Sequence, residues 1–256
     1  MSTVSLVLLT WNRASVLEKT IKHSLNNAGH QWDELIWVDN GSEPGQLNEM
    51  EWIMDQYGPT VRCQFKQNTG MQRGYNTGMS LCRSKWMILL GCDCLYPDNW
   101  LKTFMTYVET IPNTGMASMY SVPIEGVQER YRKSREIEIV NGLPILRAMP
   151  METPCFRRDL FAKVGYWRED FGMYGWGDVE WTLRCERVLT ELGLQYYVIP
   201  NQIYQHLGSE GATEFKPDNG DTREYWEWKK QESNRPENHD IMEKCRQENY
   251  PFYSPF

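Results

Sequence analysis

Four short apolar, β-rich runs, VSLVLL, ELIWV, VRCQF and WMILL, are each followed by a helical pattern in the first half of this chain. Strands that alternate with helices are joined by crossovers, and crossovers make neighbouring strands parallel. The order βαβα therefore predicts an open α/β sheet covered by helices. The first helix carries Leu17, Ile21 and Leu25 one turn apart, behind Ser15-x-x-Glu18, which reads as a capping box and places the strand-to-helix turn at Thr10 to Ala14. The second carries Leu47, Met50, Met54 and Tyr57 on one face. The fourth starts at Pro97-Asp98 and buries Trp100, Leu101, Phe104 and Val108. Right-handed crossovers put the loops after the strands' carboxyl ends along one edge, where open α/β folds bind ligands. Functional residues are expected there.

A chain of 256 residues fits one large domain, or one domain with an elaborated tail. A net charge of -7 and a pI of about 5.3 argue against a nucleic-acid groove. A phosphorylated ligand must then be held locally, by a metal ion, a helix N-terminus or a few Arg and Lys residues. Seven cysteines, odd in number and without a CxxC pair, indicate neither a disulfide framework nor a zinc ribbon. A reducing cytoplasm is the simplest compartment. The amino-terminal run reads as a strand rather than a signal peptide, and the longest apolar runs fall far short of the roughly 20 residues that span a bilayer. Peripheral contact with a membrane stays open.

Four ordered pieces carry a resemblance: VSLVLLTWNR, IWVDNGS, NTGMQRGYNTGM and ILLGCDCLYPDNWL. The order resembles the family-two-like GT-A glycosyltransferases over about Val4 to Gly208. Their opening strand ends in Thr-x-Asn-Arg, their second in Asp-Asn-Gly-Ser, and a metal strand is followed by Pro-Asp-x-Trp-Leu. The resemblance implies a Rossmann-like GT-A domain with a mostly parallel sheet, an acceptor-side insertion and a C-terminal extension. On this reading residues 1–215 form the domain, with 1–122 the nucleotide-sugar half, 123–215 the acceptor half and 216–256 an extension packed on it. The stretch Glu125 to Pro150 reads as the insertion or a mobile loop.

Carried over residue by residue, the resemblance implies a donor site of Thr10, Asn12, Arg13, Asp39, Asn68, Gly70, Arg73, Asn76 and Asp93. Asp39 at a strand end either accepts an N–H of a uracil-type base or bonds its own backbone in a turn. Arg13 and Arg73 either neutralise diphosphate or sit solvated on the surface. Asp93, at the end of a buried strand, needs a partner, and a hard divalent cation, Mn²⁺ or Mg²⁺, suits it. Gly91 stands where the family's first metal-motif Asp would be. Cys92 and Cys94 are expected to point away from Asp93, as neighbours along a strand do. His206 resembles the late His that completes the metal or diphosphate site.

The segment GMYGWGDVEWTLR resembles the family's Glu-Asp-x-Asp segment, with Gly177 in place of the Glu and Asp178 and Glu180 retained as catalytic candidates. Two positions on a helix are about 200° apart, so both cannot face one pocket. Asp178 is favoured as the general base, and Glu180 reads as the surface partner of Arg184 one turn on. Met151 to Arg158 and Gly172 to Trp176 line the acceptor side, with Tyr174 and Trp176 as contacts for a sugar ring. The implied activity is that of a nucleotide-sugar-dependent glycosyltransferase of hexosyltransferase type, metal-assisted and by the resemblance inverting, while related GT-A enzymes with a similar Gly-Trp-Gly segment include retaining ones. Its partners are a UDP-type sugar donor and a hydroxyl acceptor. The alternatives are a catalytically inactive nucleotide-sugar or glycan-binding module and a sugar nucleotidyltransferase.

Overall fold

The computed structural model describes residues 2–122, 137–148, 153–207 and 223–255. Strands β1 (Val4–Thr10), β2 (Glu34–Asp39), β3 (Val61–Gln64) and β4 (Trp86–Gly91) form a parallel half, connected by helices α1 (Ala14–Asn26), α2 (Pro44–Asp55) and α3 (Met71–Leu81). The other half is mixed. There β9 (Cys155–Arg157) runs antiparallel to both β4 and β6 (Thr114–Val122), while β10 (Gln195–His206) runs parallel to β6. The hairpin of β7 (Ile137–Val140) and β8 (Leu143–Leu146) closes the far edge, and β5 (Cys94–Leu95) folds back on β10. The sheet order is β3-β2-β1-β4-β9-β6-β10-β8-β7. Five further helices are described: α4 (Trp100–Thr110), the short α5 (Phe161–Val164), α6 (Gly177–Glu191), α7 (Arg223–Ser233) and α8 (Pro236–Gln247).

The core has two layers because the strands are buried on both faces. Along β1, Leu6 and Leu8 join the layer containing Leu17 of α1, Met50 of α2 and Trp100 of α4, while Val7 joins that of Met79 of α3 and Trp181 of α6. Apolar strands of this kind leave their chemistry to the loops at their carboxyl ends.

Several sequence expectations shift. Helix α1 begins at Ala14, so Ser15 lies inside it and makes no cap; the Ala14 N–H donates instead to Gln46 Oε1 of α2, at 3.1 Å. Helix α4 begins at Trp100, after Asn99 in a left-handed conformation, and Tyr57 falls beyond the end of α2. Within the stretch read as an insertion, residues 137–146 form a regular hairpin whose Asn141-Gly142 turn has φ of 48° and 82°, as a two-residue turn of this type requires. Residues 123–136 and 149–152 lie outside the described residues, as does the expected boundary near 215. The tail forms two helices. Asn238, Met242 and Cys245 of α8 are buried, and Tyr253 C=O accepts the Tyr166 N–H at 2.9 Å.

Candidate active site

Strands β2, β1 and β4 lie side by side, so the segments after them meet along one edge of the sheet. A cavity of about 220 Å³ opens there, lined by Thr10, Arg13, Asn40, Asn68, Asp93 and His206 among others. Its anchor is Asp93. The chain leaves β4 at Gly91, turns, and pairs β5 with the end of β10, which sets Cys94 opposite His206; Leu207 N–H then donates to the Asp93 carbonyl at 2.8 Å. His206 Nε2 comes to 3.5 Å from Asp93 Oδ1, and the Arg13 guanidinium donates to Asp93 Oδ2. Burial pushes the Asp93 carboxyl up, but the charges of His206, Arg13 and Lys229 outweigh it and hold the group well below the usual carboxylate range.

Cys94 is drawn into this constellation, contrary to expectation. Strand alternation would separate it from Asp93, but the turn between β4 and β5 interrupts the alternation, and Cys94 Sγ lies 3.9 Å from Asp93 Oδ1. Asp93, Cys94 and His206 each offer one ligand atom within 4.8 Å of the others. Gly91 belongs to the same packing: a Cβ there would stand 2.6 Å from Cys94 Sγ. A carboxylate side chain at this position would need that sulfur to shift.

The β2 side is a hydrogen-bonded turn network. Asp39 is buried and accepts from Gly41 N–H at 3.2 Å, Ser42 N–H at 3.0 Å and Ser42 Oγ at 2.5 Å, so its carboxylate organises the turn. Asn12, at φ 49°, accepts the Glu43 N–H through Oδ1 at 2.7 Å and ties the β1 turn to the β2 turn. Asn40 Nδ2 donates to Asn68 Oδ1 at 2.9 Å and to the Gly70 carbonyl at 3.2 Å, which joins the first Asn-x-Gly to the cleft. A second cavity of about 650 Å³ shares Trp11 and Asn68 with the first and runs along Ser42 to Pro44 and Phe65.

The remaining expected residues separate. Thr10 lines the cleft and accepts the Trp37 indole N–H at 2.9 Å. Asn76 is fully buried and clasps Trp167, accepting its N–H and donating to its carbonyl, both at 2.9 Å. Arg73 is exposed and does not line the cleft. Met173 and Tyr174 line it, while Trp176 packs edge-on against His239 of α8 with centroids 4.5 Å apart. Asp178 is half-buried in the first turn of α6. Glu180 is not at the surface: it and Arg184 are both fully buried, because this face of α6 packs Trp181, Cys185 and Leu189 into the core. Arg184 Nε donates to Glu180 Oε1 at 3.0 Å, and burial pushes the Glu180 carboxyl up despite that partner. Gly177 is close-packed like Gly91, since a Cβ there would stand 2.7 Å from Gln72 Cγ.

One wall of the cleft comes from a segment to which the sequence assigns no role. Tyr225, Trp228 and Lys229 of α7 line it, with Tyr225 centred 5.0 Å from Trp11 and stacked at 5.5 Å on Trp228. The interleaved aromatics and charges of the tail were its only mark in the sequence. Asn40 and Tyr75 were missed as well; Asn40 stands within the quoted Asp-Asn-Gly-Ser, and Tyr75 Oη donates to the Leu90 carbonyl at 3.0 Å.

A sequence model for glycosyl transferase family 2 matches residues 5–165. The chain belongs to this family. The match ends before Asp178, His206 and the tail, so their placement rests on the fold. No curated protein matches the chain in sequence. Among solved structures, S. aureus TarS residues 1–349 aligns with a TM-score of 0.59 and 18% identity, covering 80% of this chain and 60% of that one. A Pyrobaculum calidifontis mannosyltransferase, PcManGT, in complex with GDP-Man and Mn²⁺ aligns at 0.59 and 17%, covering 82% and 58%. GalNAc-T7 with UDP, GalNAc and Mn²⁺ aligns at 0.65 and 13%, covering 98% and 55%. The family-2 chain therefore spans less than two thirds of each of these structures and shares their GT-A fold. Among its described residues, no helix is long and apolar enough to cross a membrane.

Proposed function

We propose that the chain transfers a sugar from a nucleoside-diphosphate sugar, UDP-type favoured, to an acceptor hydroxyl. The observation that carries this is the meeting of Arg13, Asp93 and His206 at the strand ends, beside a second cavity whose 650 Å³ lies in the range of ligand pockets. Nucleotides and Mn²⁺ held by the same fold in PcManGT and GalNAc-T7 support it.

A divalent cation, Mn²⁺ or Mg²⁺, fits the donor set. A carboxylate and an imidazole 3.5 Å apart can share one ion, and His206 Nδ1 is buried with no hydrogen-bond partner among the described residues. Asp93 and His206 would hold it, and its chemistry is to offset negative charge on the leaving diphosphate. Arg13 adds a fixed charge to the same end. Asp178 is the proton acceptor in this reading: as the acceptor oxygen bonds to the anomeric carbon, the bond from that carbon to the diphosphate breaks with its electron pair, and the hydroxyl proton passes to Asp178. In-line displacement of this kind inverts the anomeric centre. Support comes from the segment just before Asp178, whose Met173 and Tyr174 line the cleft; Tyr174 and Trp176 are the acceptor-side contacts.

Incubation with labelled UDP- and GDP-sugars, hydroxyl acceptors and Mn²⁺ tests this, and transfer that is lost in EDTA is expected. Nucleotide binding with no transfer from any donor would make the chain a binding module. A nucleoside-diphosphate sugar made from a nucleoside triphosphate and a sugar phosphate would make it a nucleotidyltransferase.

A further inference from the structure

The cleft carries a cation from outside the matched family region. Lys229, on α7, sits with its ammonium 5.0 Å from the ring centre of Tyr174 and 5.2 Å from that of Tyr225, so two aromatic faces hold the charge in place. It is half-buried and lines the same cavity as Arg13, Asp93 and His206. The charge balance there is unusual for a site built around a divalent ion. Among the described residues that line the cavity, Asp93 is the carboxylate and Arg13 and Lys229 are the basic side chains, while a side chain at Gly91 would meet Cys94 Sγ at 2.6 Å. Such a set suits a polyanion that brings its own ligands to any metal.

We propose that Lys229 is a leaving-group-binding residue, whose ammonium is presented by the C-terminal helix to bind the donor's diphosphate together with Arg13. The proposal rests on the donor reading above and adds a residue to it. A lysine suits the task because its ammonium is a compact point charge on a long stem, which follows phosphate oxygens without the fixed fork of an arginine. Diphosphate affinity then persists in the absence of a divalent ion.

Calorimetry on the full chain tests this with UDP and GDP as probes, uridine and guanosine as their phosphate-free counterparts, and each titration run in Mn²⁺ and in EDTA. Lys229→Met keeps the apolar stem and removes the charge. It is expected to weaken the bound diphosphate roughly ten- to a hundredfold in both buffers, to leave the nucleoside unchanged, and to flatten the salt dependence. Lys229→Arg should retain most of the affinity. Equal weakening of diphosphate and nucleoside would mean that α7 had merely lost its packing, which overturns the assignment, as would unchanged diphosphate binding in EDTA. A wild-type chain that binds neither diphosphate overturns the donor reading itself, whereas one that binds UDP or GDP as tightly as Lys229→Met does overturns Lys229 alone.

Discussion

The two halves of the sheet build their shares of the cleft in different ways. In the parallel half each candidate residue ends its strand, as Thr10 and Asp39 do, or lies two or three positions past it, as Asp93 and Arg13 do, and local crossovers bring them to one edge. In the mixed half the contributors are far apart in sequence: His206 ends β10, Tyr174 precedes α6, and Lys229 comes from the tail. On the donor reading proposed above, the parallel half is the frame that holds the nucleotide and the mixed half supplies the chemistry. Variants in the two halves should separate binding from turnover.

The largest effect is expected from Asp178. Asp178→Asn keeps the volume and an acceptor oxygen but cannot take a proton, so turnover should fall about 10²–10⁴-fold while UDP affinity stays near wild type. Full activity in this variant, measured with a saturating donor, would move the base elsewhere and remove the chemical role from this end of the mixed half.

Glu180, two residues on, sharpens the contrast between chemistry and architecture within one helix. Its carboxylate and the Arg184 guanidinium are fully buried, and Arg184 Nη1 also donates to the Val164 carbonyl at 2.6 Å. Glu180→Gln leaves that guanidinium buried without its counter-charge, which costs about 3–5 kcal/mol of stability. Denaturant unfolding should show the loss, while the protein that remains folded keeps its turnover per molecule. A variant as stable as wild type but inactive would reverse the roles of the two carboxylates.

The parallel half was legible because its signals are local: β-rich runs, helical spacing and polar residues just past the strands. Asp93 was readable as a buried-strand carboxylate in need of a partner, yet that the partners are Arg13 and His206 depends on β5 folding back onto β10, a pairing no local pattern marks. The hairpin at 137–146 carried a readable Asn141-Gly142 turn that the polar surroundings obscured. Glu180 was misread because helical spacing shows a pairing with Arg184 but not which face of α6 meets the core. The wall made by α7 was marked only by interleaved aromatics and charges, which give no role by themselves, since such a helix acquires its role from what it packs on.

Smaller effects are expected at the seam between the halves. Gly91→Asp restores the family's first carboxylate, but its Cβ would meet Cys94 Sγ at 2.6 Å, so it should cost about 1–3 kcal/mol of stability and leave Mn²⁺ affinity no better. Adding Cys94→Ala removes the obstacle, and Mn²⁺ should then bind more tightly than to wild type. Tighter Mn²⁺ binding by Gly91→Asp alone would show that the sulfur moves aside freely.

The smallest effect distinguishes turn from base contact in the parallel half. If the Asp39 carboxylate serves chiefly to hold Gly41 and Ser42, then Asp39→Asn keeps one oxygen for the two backbone N–H donors and loses only the second, which faces Ser42 Oγ. A side chain that fastens backbone donors in this way is worth about 1 kcal/mol, so the melting temperature should drop by a few degrees. Uridine affinity should fall by no more than the distortion of the turn requires, since Ser42 and Glu43 line the larger cavity from that turn. A base contact predicts the opposite signature. The carboxylate would then accept a ring N–H directly, and Asp39→Asn would weaken uridine more than tenfold at unchanged stability. Melting curves and uridine titrations on the same preparation decide between the two, and the second result would return Asp39 from the frame to the binding surface.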